Sequence, residues 1–149
     1  MLNLKTKTFF NSKAVLDATD KATQRNLSKF GAFVRSDARH SIRLRSRASR
    51  PGEPPTNQTG TLKGLIYFSY DRRSRSVVIG PEPFSSRIAG PAVVPKVLEY
   101  GGLSIVKIKR KRQVIGRKAV AIQARPFMRP AAEKNYAELP DIWRDSIKA

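Results

Sequence analysis

Arg35, Arg39, Arg43 and Arg47 recur four residues apart, with Arg45 and Arg50 close by. On a continuous helix that spacing stacks guanidinium groups along one stripe, where like charges repel. Such a stripe calls for an anionic partner, either an acidic protein surface or nucleic acid, or else for acidic neighbours within the fold. A second basic cluster runs from Lys107 to Lys118: Lys107, Lys109, Arg110, Lys111, Arg112, Arg117 and Lys118, with no acidic residue among them. Side chains of this kind contact phosphates without reading bases, and such contacts are sensitive to salt.

Residues suited to catalysis are sparse. The one histidine, His40, lies inside the first basic cluster, where a surface or partner-facing role is expected rather than that of a base. The carboxylates are scattered, and no pair has the spacing of a general acid and base. No His/Asp/Glu grouping has metal-ligand spacing. Gly101-Gly102 lacks the strand–loop–helix context and the Gly-Lys-Ser/Thr ending of a phosphate loop. The sequence therefore predicts no enzyme, no catalytic residue, no metal and no cofactor. Tyr67, Phe68 and Tyr70 have the chemistry to stack on bases, but as strand residues they are expected to pack the sheet. No helix-turn-helix, zinc-finger or RNA-binding signature is present.

The balance of charge supports the same reading. The 149 residues hold 30 Lys+Arg against 11 Asp+Glu, a formal +19. That excess implies a polyanion, an acidic protein surface or an ordered assembly. It belongs to the body of the chain, since residues 121–149 carry five basic and four acidic side chains. There is no cysteine, hence no disulfide framework, as suits synthesis in a cytoplasm. The N-terminus has no apolar run of signal-peptide length, and no stretch reaches the roughly 18 apolar residues of a membrane span.

The elements that must position these residues follow from periodicity. Residues 1–12 read as an arm, and residues 13–149 as a single domain. From Lys13 to Leu44 the pattern is helical: Leu16, Thr23, Leu27, Phe30, Val34, Ala38 and Ile42 form one face, widened by Val15, Ala22 and Phe33. Asn11 or Ser12 suits the N-cap. Gly31 suggests close packing or a bend. Residues 50–60 and 80–95 have the proline, glycine and polar content of long loops. Leu62 to Tyr70 and Arg75 to Gly80 read as a hairpin. Val93 to Tyr100 reads as a short helix ended by Gly101-Gly102. Leu103 to Lys109 and Val114 to Gln123 read as a second hairpin with Arg110 to Gln113 at its tip. The stretch Ala119 to Ala132 then joins sheet to helix, stiffened by Pro126 and Pro130. Ala131 to Leu139 is helical, and Asp141 to Lys148 continues beyond Pro140. The fold class is α+β: a long N-terminal helix packed on an antiparallel sheet of about four strands, with a C-terminal helix.

Four motifs occur in a fixed order: Pro51-Gly52-Glu53-Pro54-Pro55 after the arginine-bearing helix, Thr59-Gly60-Thr61-Leu62-Lys63, Leu98-Glu99-Tyr100-Gly101-Gly102, and Ala124-Arg125-Pro126-Phe127-Met128-Arg129-Pro130-Ala131. In this order the chain resembles the tail-completion or neck (head–tail joining) proteins of tailed bacteriophages, over roughly Val34 to Leu139. One departure is Gly101-Gly102, where the family often has Gly-Thr. The resemblance implies a structural virion protein, made in the host cytoplasm, that forms a homo-oligomeric ring around the DNA channel. A hexamer is favoured and a dodecamer possible. Its implied partners are connector or stopper proteins on the head side, and tail-terminator or tail-tube proteins on the other. On this view the cluster from Lys107 to Lys118 is the DNA-channel or charged contact, and Arg35, Arg39, Arg43, Arg47, Glu99, Tyr100, Arg125, Phe127 and Arg129 form protein interfaces. The alternative is a stand-alone basic nucleic-acid-binding protein.

Overall fold

The computed structural model describes residues 11–57, 60–82, 93–110 and 113–147. The expected arm, most of the loop 80–95, and Lys111 and Arg112 at the hairpin tip lie outside them. Helix α1 runs Ser12–Ser41 and begins where the Asn11 side chain accepts the Ala14 N–H at 3.1 Å, which satisfies one of the donors a helix start leaves unpaired. Ala22, Asn26, Phe30, Gly31, Val34 and Ala38 make its buried face. Val15, Leu16 and Phe33, expected on that face, are exposed. The core begins only at Ala22, and the first turns of α1 extend past it.

The helix stops three residues before the expected Leu44. Ile42 takes extended backbone (φ −80°, ψ 111°) and is fully buried. It joins Phe30, Val34, Ala38, Leu62, Ile66, Phe127 and Ala131 in one cluster. Leaving the helix at that point puts the Ile42 side chain into the core and sends the following arginines into a loop.

After this loop, the single turn α2 (Thr61–Gly64) buries Leu62. Strand β1 (Ile66–Asp71) pairs antiparallel with β2 (Ser76–Pro81). Their turn is set by Asp71, whose carboxylate accepts from Arg73 N–H (2.9 Å) and Ser74 Oγ–H (2.6 Å). These bonds, the Ser74 hydroxyl first, hold its pKa below the usual carboxylate value. Helix α1 lies against this hairpin at Gly31. A Cβ at that position would stand 2.8 Å from a Phe68 ring carbon and 2.9 Å from a Val77 methyl, so the glycine serves close approach. Phe68 packs there, as expected of a sheet residue.

Helix α3 (Val93–Tyr100) leads through Gly101 into β3 (Gly102–Arg110), which pairs antiparallel with β4 (Gln113–Ile122). Gly101 has φ +76°, and a Cβ there would meet the backbone of Ile122 and Ala124 at 3.1–3.2 Å. Both facts restrict the position to glycine. A bulge between Ile108 and Lys109 shifts the register. The four expected strands are thus present, but as two separate two-stranded sheets. Helix α4 (Met128–Tyr136) includes Pro130 in its first turn, where the missing N–H costs nothing; the helix therefore starts before Pro130 rather than after it. Helix α5 (Leu139–Trp143) follows, with Pro140 in its own first turn.

Helix α4 is bound to α1 in three ways. Asn135 Nδ2 donates to Asp37 Oδ2 at 2.8 Å, Lys134 pairs with Asp37 at 3.1 Å, and the rings of Phe30 and Tyr136 stack at 5.5 Å. The Asn135 hydrogen bond, with Lys134 behind it, lowers the Asp37 pKa against the opposing effect of burial. No helix among the described residues is long and apolar enough to cross a membrane.

Candidate assembly and anion interfaces

The four ordered sequence motifs converge on Phe127. Glu99, at the end of α3, places its carboxylate at the N-terminus of α4. There it accepts three backbone N–H groups: Phe127 at 2.9 Å, Met128 at 3.1 Å and Arg129 at 2.8 Å. This is a helix cap supplied from 28 residues away, and the negative charge also complements the positive end of the helix dipole. The Arg125 N–H donates to Leu98 O at 2.6 Å, and the Gly52 N–H donates to Ala124 O at 2.9 Å. The second motif contributes Leu62, packed in the same cluster as Phe127 and Ala131.

Four expected interface residues have internal roles. Glu99 is buried as the α4 cap, and Phe127 is 1% exposed in the core. Arg125 is half-buried; its Nε donates to Ser49 O at 3.1 Å and its Nη1 to Gln123 O at 3.3 Å. It is a strut between the junction and the loop after α1. Arg35 is likewise tied inward, with Nε donating to Ile66 O at 2.8 Å and its guanidinium 6.0 Å from the centre of the Tyr67 ring. Arg39 is half-buried on α1. Tyr100 and Arg129 remain on the surface, paired by a cation–π contact of 5.9 Å, with Tyr100 65% exposed.

The expected arginine stripe does not exist as one helix face. Arg43 and Arg47 fall beyond the end of α1, in the loop 42–57, where Arg45 and Arg50 join them around a cavity of about 640 Å³. Sequence spacing missed this cup because it assumed a continuing helix; the signal that marks it is the run of alternate arginines immediately before Pro51. His40, exposed at the cavity rim, is held by an Nδ1–H bond to Ser36 O at 2.8 Å.

Among the described residues, the β3–β4 hairpin packs chiefly on itself, with α3 against β3. Leu103 and Ile105 share a face with their partners Ala121 and Ala119, and all four are exposed, Leu103 at 74% and Ile105 at 57%. Ile115, in the bulged segment, is 61% exposed. Lys107, Lys109 and Arg110 lie on β3, and Arg117 and Lys118 are exposed on β4.

Among the described residues, no group of three or more His, Asp and Glu stands together as metal ligands. Comparison with protein-family models, curated proteins and solved structures gives no match.

Proposed function

We propose that this chain is a virion protein of a tailed bacteriophage, a neck subunit that closes into a homo-oligomeric ring between head and tail. The observation that carries this reading is the set of exposed apolar side chains on the β3–β4 hairpin. A lone two-stranded hairpin is marginal in water, and this one exposes Leu103, Ile105 and Ile115. A ring built head to tail covers such an arm with a different patch of the next subunit and repeats the contact until it closes. The four motifs supply the family resemblance, and their convergence on Phe127 gives each subunit a stiff junction on which to build. The charge suits the same place: a ring around exiting DNA needs distributed positive charge without base readout. A hexamer is the favoured closure, with connector or stopper proteins on one side, tail-terminator or tail-tube proteins on the other, and the host cytoplasm as the site of synthesis.

Native mass spectrometry of the purified protein tests the reading, alone and after mixing with connector and tail-tube proteins from the same phage. The expected result is a discrete closed oligomer that binds one of these rings. A monomer that ignores both and binds DNA tightly would replace this reading with that of a stand-alone nucleic-acid-binding protein.

A further inference from the structure

We propose that the cup lined by Arg43, Arg45, Arg47 and Arg50 is a binding site for the phosphodiester backbone of nucleic acid. Its loop has little regular structure but is pinned along its length. Asn57 N–H donates to Arg43 O at 3.0 Å, Thr56 Oγ1–H to Arg47 O at 2.8 Å, and Glu53 N–H to Arg50 O at 3.2 Å. Arg125 holds Ser49 O, and Gly52 N–H reaches Ala124 O. The carbonyls of Arg43, Arg47, Ser49 and Arg50 are thus taken up within the fold rather than left free to repel an incoming anion.

The side chains are not satisfied in the same way. None of the four guanidinium groups forms an ion pair among the described residues. The acid in the cup lining, Glu53, already accepts the Arg50 backbone N–H at 3.3 Å. Ser49, also in the lining, has a hydroxyl shielded from solvent with no hydrogen-bond partner. Four like charges held together by a braced backbone repel one another, and a bound anion removes that repulsion.

The lining chemistry selects the class of anion. Guanidinium and hydroxyl donors are the groups that contact phosphate oxygens. Apart from His40 at the rim, the lining has no aromatic residue to stack on a base, and it has no Asn or Gln to read one. The cup should therefore hold backbone regardless of sequence. This inference does not rest on the ring proposal, because the cup is complete within one subunit.

Fluorescence anisotropy with a short labelled DNA duplex, at several salt concentrations, tests it. The triple variant Arg43→Ser/Arg45→Ser/Arg47→Ser is compared with Lys21→Ser/Arg72→Ser/Arg73→Ser, which removes the same charge from exposed positions elsewhere. The cup variant should weaken binding about tenfold or more and reduce the slope of log K against log salt by about 2 to 3, one phosphate contact per arginine. The control should change affinity by less than about threefold. Equal effects of the two triples, or no effect of the cup variant, would overturn the proposal. So would unchanged DNA binding with lost binding to poly-glutamate, which would reassign the cup to an acidic protein. Thermal melts establish that each variant is folded; if the triple melts early, Arg45→Ser alone, whose backbone carries none of the pinning bonds, is tested for a loss of about one slope unit.

Discussion

The junction around Phe127 and the β3–β4 hairpin are neighbours in sequence and opposites in construction. At the junction nearly every polar group has an internal partner. Glu99 holds three N–H groups of α4, Arg125 braces the loop after α1, and Phe127 is buried under both. The hairpin is held mainly by its own bulged ladder among the described residues, and Leu103, Ile105, Ile108 and Ile115 are exposed on it. The contrast separates two tasks. On the proposed reading, residues at the junction govern folding, whereas residues on the hairpin face govern association. It follows that substitutions at the first should be read in stability, and substitutions at the second in association.

The most severe test is Glu99→Ala. It leaves three N–H groups at a largely buried helix start without an acceptor and should cost about 3 kcal/mol or more. Urea denaturation should show a subunit that is unfolded or barely stable; a near-native midpoint would remove the distinction between the two regions. Arg125→Ala comes next. It releases Ser49 O and Gln123 O and should cost about 1–2 kcal/mol by the same measurement. Arg125 is expected from the resemblance at a protein interface, but its internal hydrogen bonds predict a loss in folding stability as the first effect.

Asp37→Asn should cost about 1 kcal/mol near neutral pH, through loss of the charge shared with Lys134 and Asn135. The sign of its pH dependence is set by the lowered pKa in the fold. Asp37 adds stability above the unfolded carboxylate value of 3.8 and loses it as pH falls through the lower folded value. The melting temperatures of wild type and variant should therefore converge in acid. The smallest stability effect belongs to Leu103→Ser/Ile105→Ser, within about 0.5 kcal/mol because both side chains are already in water. Its consequence should appear in mass measurement instead, as loss of the oligomer.

How much of this was legible in the sequence depended on how local the determinants were. The N-cap at Asn11 (of the two candidates Asn11 and Ser12), the helix Val93–Tyr100 ended by Gly101, and both hairpins are written in contiguous residues, although the first strand starts at Ile66 because Leu62 to Gly64, expected in it, form the helical turn α2. The end of α1 was misplaced because Ile42 continues the helical period while its backbone does not; burial of that side chain outweighs the local pattern. Strand spacing indicated four strands but not which would share a sheet, since pairing depends on tertiary placement. The cap by Glu99 was invisible for the same reason: nothing near Glu99 announces a helix start 28 residues later. The resemblance puts Glu99 in an interface together with Tyr100, Arg125, Phe127 and Arg129, and of these five only Tyr100 and Arg129 are exposed.

Arg125 has a further consequence. One of its hydrogen bonds reaches Ser49 in the arginine cup, and the residues that follow it are those clamped by Glu99 beside the Tyr100–Arg129 pair. Cup and aromatic patch are thus linked through one set of hydrogen bonds. In a closed ring whose subunits touch through that patch, every cup would stand at the same height and the same angular interval, as marks on a dial do, and the subunit number alone would set how often a strand passing through met a guanidinium cluster.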